Sequence, residues 1–328
     1  MLKIYTKILV TGGLGFIGSH IVDRLLKGKF EVIVIDNIST GRKGNIAYHQ
    51  NRKDFSFIEG DIRDTALVKK IIKDVDAVFH EAALVSVPHS VENPLLTNEV
   101  NVSGTLNLLE ACRDADVKRF IHASSSSVYG ETETLPKHEK LNPQPISPYA
   151  VSKLAAENYV KVYHEVYGLN TVCLRYFNVY GPRQTYGPYS GAITIFINRL
   201  LKNESPIIFG DGKQTRDFTY IQDVVEANML ALIRERAVGE VLNIATGNQT
   251  TINQLAAMLQ QIMNKTNLGT IYTNPRPGDV KHSYADITKA KKILQYNPKI
   301  SLRKGLTELV KWYTLSNCEA DDVNNEFT

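Results

Sequence analysis

At 328 residues, with 43% hydrophobic and 22% charged side chains, the chain has the make-up of an ordinary globular protein with room for two domains. A formal net charge of +4 spread over scattered Lys and Arg residues excludes the basic stripe of a nucleic-acid-binding surface. Cys112, Cys173 and Cys318 are odd in number and far apart, which excludes a disulfide framework or zinc knuckle and fits a reducing cytoplasm with no metal site.

Short apolar runs alternate with amphipathic stretches from the start. The opening "MLKIYTKILVTGG" is too short an apolar run for a signal peptide, and no window approaches membrane-spanning length, so no membrane partner is expected. Residues 8–10, 32–35, 55–58, 77–79, 119–123 and 171–174 read as buried strands, with helices over 17–26, 67–72, 95–115 and 149–167. This alternation predicts right-handed βαβ units and a parallel sheet covered on both faces. After residue 176 it loosens, and Gly and Pro gather in "NVYGPRQTYGPYSG", residues 178–191. A helix over 221–233 and a strand over 241–244 return to the sheet, and helices over 252–263 and 302–313 cap it. The ending "NCEADDVNNEFT", residues 317–328, is acidic and poor in apolar residues and is expected to be frayed.

The first strand runs into "TGGLGFIGSH", where Gly13, Gly15 and Gly18 satisfy G-x-G-x-x-G and Gly12, Gly15 and Gly18 a wider spacing. A pyrophosphate approaching backbone N–H groups at a helix N-terminus needs glycine at such positions, and the strand-turn-helix context makes the motif specific. Asp36 ends the second strand, where a carboxylate hydrogen-bonds a ribose and repels a 2′-phosphate, predicting NAD over NADP, although Arg42 and Lys43 follow closely. Asp61, in "EGDIRD", suits either the adenine edge or a helix cap. The fold expected is α/β, a doubly wound parallel Rossmann sheet from residues 1–177 and about 215–247. A smaller C-terminal α/β substrate-binding domain would come from about 178–214 and 248–316.

"SPYAVSKLAAE" places Tyr149 and Lys153 four apart, on one face of a helix. A lysine ammonium and the positive nicotinamide ring of NAD both favour a nearby phenolate, lowering the tyrosine pKa toward the range of a general base. With "TGGLGFIGSH", "HEAALVSVPHS", "SSSSVYG", "YAVSK", "LRYFNVYGPRQ", "GDGKQTRDFTYIQD" and "RPGDVKHSYADITKA" in order, the chain resembles the extended short-chain dehydrogenases/reductases, and among them the UDP-sugar 4-epimerases.

That resemblance implies C4 oxidation to a 4-keto sugar and its re-reduction on the other face, with NAD regenerated in place. It gives Tyr149, Lys153 and a serine the catalytic roles. The serine is placed at Ser125, with Ser126 the nearest competitor. Related 4,6-dehydratases carry an Asp-Glu pair where Ser126 and Ser127 stand, and UDP-glucuronate decarboxylases carry a Glu at the Ser127 position, so the missing acids favour epimerisation. The cofactor site implied comprises Gly12, Gly15, Phe16, Ile17, Gly18, Asp36, Asn37, Ser39, Gly41, Asp61, Ile62, Ala82, Ala83, Asn101, Ser124, Tyr149, Lys153 and Tyr176. The substrate site comprises Ser86, Ser125, Ser126, Ser127, Asn178, Ala192, Ile193, Arg216, Arg276, Asp279 and Ser283. Relatives confined to plain hexoses tend to have Tyr where Ser283 stands, so the small residue predicts acceptance of UDP-N-acetylglucosamine and UDP-N-acetylgalactosamine beside UDP-glucose and UDP-galactose. The alternatives are a UDP-glucuronate 4-epimerase, marked by a basic side chain at the C6 carboxylate, another NAD-dependent nucleotide-sugar enzyme, or a non-catalytic NAD-binding regulator. A homodimer through helices 95–115 and 149–167 is the implied assembly.

Overall fold

The computed structural model describes residues 5–184, 191–275 and 280–325. β1 (Lys7–Thr11), α1 (Phe16–Lys27), β2 (Glu31–Asp36), β3 (Phe55–Glu59), α2 (Thr65–Ile72) and β4 (Ala77–His80) form the first half of the chain's main sheet. There follow α3 (Val87–Glu92), α4 (Pro94–Asn98), α5 (Gly104–Asp114), β5 (Arg119–Ser125), α6 (Pro148–Tyr167) and β6 (Thr171–Tyr176). The strands form a seven-stranded sheet in the order β3-β2-β1-β4-β5-β6-β11, all neighbours parallel, with β11 (Val241–Ile244) at the far edge. Both faces are covered, which is why its strands read as unbroken apolar runs: Ile8, Val10, Val32, Val34 and Phe79 pack on one face, Leu9, Ile33, Ile35 and Val78 on the other. The order of connection reverses between β1 and β4, and the ligand crevice of such a sheet opens at the carboxyl ends of those strands.

The remaining elements are small and local. β7 (Val179–Tyr180), α7 (Ala192–Leu201), β8 (Ile207–Phe209), β9 (Thr215–Arg216), β10 (Thr219–Tyr220) and α8 (Ile221–Ile233) precede β11, and β12 (Thr250–Thr251), α9 (Ile252–Ile262), β13 (Ile271–Thr273), β14 (His282–Ser283), α10 (Thr288–Leu294) and α11 (Leu302–Asn325) follow it. β9 joins β12 and β14 in one small sheet, β7 pairs β10, and β8 pairs β13. The buried carboxylate of Asp217 ties these pieces to the main sheet. It accepts from Thr246 N at 2.9 Å, Thr246 Oγ1 at 2.6 Å, Gly247 N at 2.9 Å and Ala285 N at 3.3 Å.

One expectation is corrected by the backbone. The single helix expected over 95–115 is divided: a π-helical turn, Glu99–Ser103, separates α4 from α5. It carries the buried Asn101, whose amide bonds the backbone N–H and C=O of Leu84 and Ser152 Oγ. α11 extends to Asn325.

Candidate active site

At the carboxyl ends of β1, β2 and β4 a cavity of about 420 Å³ opens, lined by Gly12, Gly15, Phe16, Ile17, Gly18, Asp36, Asn37, Ser39, Asp61, Ile62, Ala82, Ala83, Ser124, Ser125, Tyr149, Lys153, Tyr176 and Asn178 of the expected residues. The glycines earn their places sterically. Gly12 has φ +67°, and a Cβ there would stand 2.8 Å from Ala82 Cα; one on Gly18 would stand 2.2 Å from Gly12 O. Gly13 instead lets β2 approach, since its Cβ would meet Val34 at 2.6 Å. α1 starts with no side-chain cap on its N-terminal N–H groups, leaving them to face the cavity.

Asp36 accepts from Leu14 N at 3.0 Å and Ile38 N at 2.8 Å; burial raises its pKa, and those two bonds pull it back. Gly41 lies against that carboxylate rather than in the cavity lining. Lys43 pairs with Glu59 at 3.1 Å, and neither it nor Arg42 lines the cavity to meet a 2′-phosphate. Asp61 accepts from Asn37 Nδ2 at 2.8 Å and pairs with Arg63, whose hydrogen bonds hold its carboxyl down at about 2. The cap of α2 is Asp64, not Asp61. A dinucleotide with free ribose hydroxyls fits this cradle.

The serine run, ambiguous as sequence, is sorted by geometry. Ser124 donates to Glu157 Oε2 at 2.6 Å, so its hydroxyl is spent. Ser125 Oγ accepts from Ser127 N at 3.1 Å and Ser127 Oγ at 2.9 Å, and it lines the cavity with Tyr149, whose pKa it pulls down. An oxygen that accepts from two donors keeps its own proton to give. Ser126 and Ser127 do not line the cavity.

α6 positions Tyr149 and Lys153 because Ser147 caps its start, accepting from Ala150 N at 3.2 Å, and Pro148 fixes the first turn. Burial raises the Tyr149 pKa and Ser125 opposes it. Lys153 is itself pulled down to about 8 by burial, with Glu81, Cys173 and Glu157 pulling back.

A second cavity of about 380 Å³ is lined by Asn178, Val179, Ala192, Ile193, Arg216 and Phe218 among others, and it shares Asn178 and Val179 with the first. Ser283 is buried and lies beside Arg216 in the β14–β9 register without lining either cavity. Ser86 caps α3 and Asn101 serves the loop at Leu84, both outside the linings. Arg276 and Asp279 lie outside the described residues. Among the lining residues that went unread in the sequence, the carboxylate is Glu81, directly after β4 and beside Tyr149 and Lys153 in the lining. Its only signal was a charged residue inside "HEAAL", otherwise apolar after the strand.

The profile of the family described as GDP-mannose 4,6 dehydratase matches residues 9–309, and the chain belongs to that family of extended short-chain dehydrogenases/reductases. Within it, the chain groups with enzymes that are UDP-sugar 4-epimerases. It is 43% identical to a UDP-N-acetylglucosamine 4-epimerase from Methanobrevibacter ruminantium, solved with UDP-N-acetylmuramic acid, over 95% of this chain and 99% of that one at a TM-score of 0.91. A UDP-glucose 4-epimerase from Thermotoga maritima with UDP-glucose matches at 42%, over 95% and 99%, with a TM-score of 0.89. A UDP-glucuronic acid 4-epimerase from Bacillus cereus, with UDP-glucuronic acid and NAD, matches at 39%, over 94% and 99%, with a TM-score of 0.88. Among the described residues no group of His, Cys, Asp and Glu could hold a metal ion, and no helix is long and apolar enough to cross a membrane.

Proposed function

We propose that this protein interconverts UDP-hexoses at C4 with NAD as cofactor, taking UDP-N-acetylglucosamine and UDP-N-acetylgalactosamine beside UDP-glucose and UDP-galactose. The observation that carries this is the placement of Ser125, Tyr149 and Lys153 together in the lining of the cradle, with serines rather than acids at 126 and 127.

Gly12, Gly15 and Gly18 would receive the pyrophosphate of NAD, Asp36 its adenosine ribose, and Asn37 and Asp61 its adenine edge. NAD supplies the acceptor and donor of the C4 hydride. Tyr149 takes the proton of the sugar 4-hydroxyl and later returns it, while Ser125 donates to the C4 oxygen as charge develops there. Positioned acid–base groups of this kind contribute about 10²- to 10⁴-fold. The ketone then meets no acid or base in the serine turn that could drive elimination or loss of a carboxyl group. The smaller cavity, with Asn178, Ala192, Ile193 and Arg216, would grip the nucleotide diphosphate, joined by Arg276 and Asp279. Among the described residues the cations lining the larger cavity are Lys153 and, at the adenosine end, Arg63, which favours a neutral sugar over a uronate.

Ser283 supports the wider substrate range through its neighbour: it lines neither cavity but is buried beside Arg216, and a tyrosine ring there would press on that lining side chain. Purified protein incubated with each UDP-hexose and UDP-N-acetylhexosamine, without added cofactor, tests the reading. Both C4 pairs are expected to interconvert. Ser283→Tyr should abolish turnover of the N-acetylated pair while sparing the plain pair, and equal loss of both would refute the role given to Ser283. We further infer a homodimer: Val151, Tyr159, Val162 and Val166 form an exposed apolar stripe along α6.

A further inference from the structure

Glu81 lines the larger cavity together with Tyr149 and Lys153, and the chemistry above gives it no part. Its Oε1 accepts from the Tyr176 hydroxyl at 2.9 Å. That hydroxyl stands 2.8 Å from Asn228 Nδ2, which also donates to Val224 O at 2.9 Å. The same hydroxyl also lies 3.1 Å from Asn228 Oδ1, but Glu81 Oε1 is the shorter acceptor, and with Asn228 Nδ2 donating to Tyr176 and Tyr176 to Glu81 the chain of donors ends on a carboxylate and suits its ionised form.

Lys153 is 4% exposed and makes no hydrogen bond or ion pair with another described residue. Two carboxylates influence it, Glu81 and Glu157. Glu157, one turn further along α6, already holds Arg175 through its Nε at 2.9 Å and Nη2 at 2.5 Å, and accepts from Ser124. Glu81 is thus the carboxylate whose charge no guanidinium cancels. The other titratable groups around the pair carry no net charge: burial keeps His80 at the end of β4 and His122 on β5 neutral, keeps Cys173 on β6 and Tyr149 on α6 protonated, raises Tyr176, and leaves Glu157 and Arg175 to offset each other.

Resting on the assignment of Tyr149 and Lys153 as the acid–base pair, we propose that Glu81 is a positioning residue for it. Held by Tyr176 and Asn228, its carboxylate keeps Lys153 an ammonium ion and so keeps positive charge beside Tyr149 at neutral pH. Burial pushes Glu81 up to about 7 and Lys153 down to about 8, so both ionise close to working pH, each stabilising the charge of the other. Without the carboxylate, Lys153 keeps its desolvation penalty and loses the attraction. Its midpoint then falls toward or below neutral, and an uncharged amine lends nothing to a phenolate.

The test is a pH titration of the substrate-free protein, with the NAD it retains, carrying [13C]lysine, with the Lys153 signal assigned by its loss in Lys153→Met. Wild type should titrate near 8. Glu81→Gln should move the midpoint down by about one unit or more, the size expected when one close opposite charge is removed. Tyr176→Phe, which leaves the carboxylate without its hydroxyl donor, should move it the same way by less, and serves alone should Glu81→Gln not fold. In turnover, Glu81→Gln should lose about tenfold at pH 8, and the loss should shrink toward pH 6 as Lys153 regains its proton. A merely structural role would give a loss that does not vary with pH. An unchanged Lys153 midpoint in the folded variants, or a wild-type midpoint above about 10, the ordinary lysine range, overturns the proposal. Absence of epimerase activity in wild type would sink the functional reading instead, leaving the titration to judge Glu81 separately.

Discussion

Gly18→Ala is the substitution whose consequence the geometry sizes most directly. The added carbon would stand 2.2 Å from Gly12 O, 2.9 Å from Gly12 C and 2.9 Å from Gly13 Cα. All three are backbone atoms, and Gly12 is fixed on both sides: its N–H donates to Ile35 O at 2.9 Å and its carbonyl accepts from Gly15 N at 3.0 Å. Reaching ordinary contact near 3.4 Å requires α1 to back away from the turn by about 1 Å, enough to break hydrogen bonds to a phosphate. Overpacking costs about 1–3 kcal/mol where side chains can yield, and here only backbone can, so the upper end applies. At about 2–4 °C per kcal/mol, Tm should fall by roughly 6–12 °C. Thermal denaturation reads that loss, and chromatography of acid-released nucleotide reads the NAD retained per chain, which should drop severalfold. Gly44→Ala is the control, since nothing lies within 4 Å of its added carbon. A Gly18→Ala protein with wild-type Tm and wild-type NAD content would refute the steric account of the cradle.

Ser125→Ala should reduce C4 epimerisation by about 10²-fold or more, while Ser126→Ala leaves it within about twofold; the reverse order, in steady-state kinetics, would transfer the role to Ser126. Asp217→Ala strips four donors of their acceptor at a buried position and should cost about 3–5 kcal/mol in urea unfolding, with loss under 1 kcal/mol counting against the tie it makes between the small sheet and the large one. His80 is held at about 3 and His122 well below its usual value by burial, whereas both would titrate near 6.5 when unfolded. Unfolding therefore takes up protons below pH 6.5, and stability should fall with acid by up to about 2.7 kcal/mol per pH unit for the two together. His122→Phe should halve that slope between pH 6 and 5, an outcome that unfolding curves at each pH would show or deny. If the inferred dimer forms through α6, Val162→Arg should yield monomer in sedimentation without changing the far-UV spectrum; an unchanged mass would clear α6 of the interface.

The main sheet was legible because buried parallel strands leave unbroken apolar runs, and the cradle because glycine is forced where backbone touches backbone, as at Gly12 and Gly18. The break in the helix before α5 was not, since a π-turn changes no residue's polarity; Asn101 marks it only through partners distant in sequence, Leu84 and Ser152. Glu81 was hidden for a related reason. Its meaning lies in Tyr176 and Asn228, contributed by β6 and α8, and a lone acid after a strand carries no local trace of them. The order within the serine run likewise rests on direction: four identical side chains differ only in where the end of β5 turns them.

Asn178 and Val179 belong to the walls of both cavities, so the place that would hold the nucleotide and the place that would transform the sugar meet at a neck two residues wide. A ketone formed in the larger cavity would remain leashed by the diphosphate gripped in the smaller one. Its local concentration at Tyr149 and Ser125 would stay on the order of millimolar or higher however freely the ring turned. Escape would require the nucleotide to let go, not the sugar. Fidelity would then be governed at the end where no bond changes: variants at Arg216 or Ala192 would leak ketone into solution, while variants at Ser125 would slow its formation without releasing it.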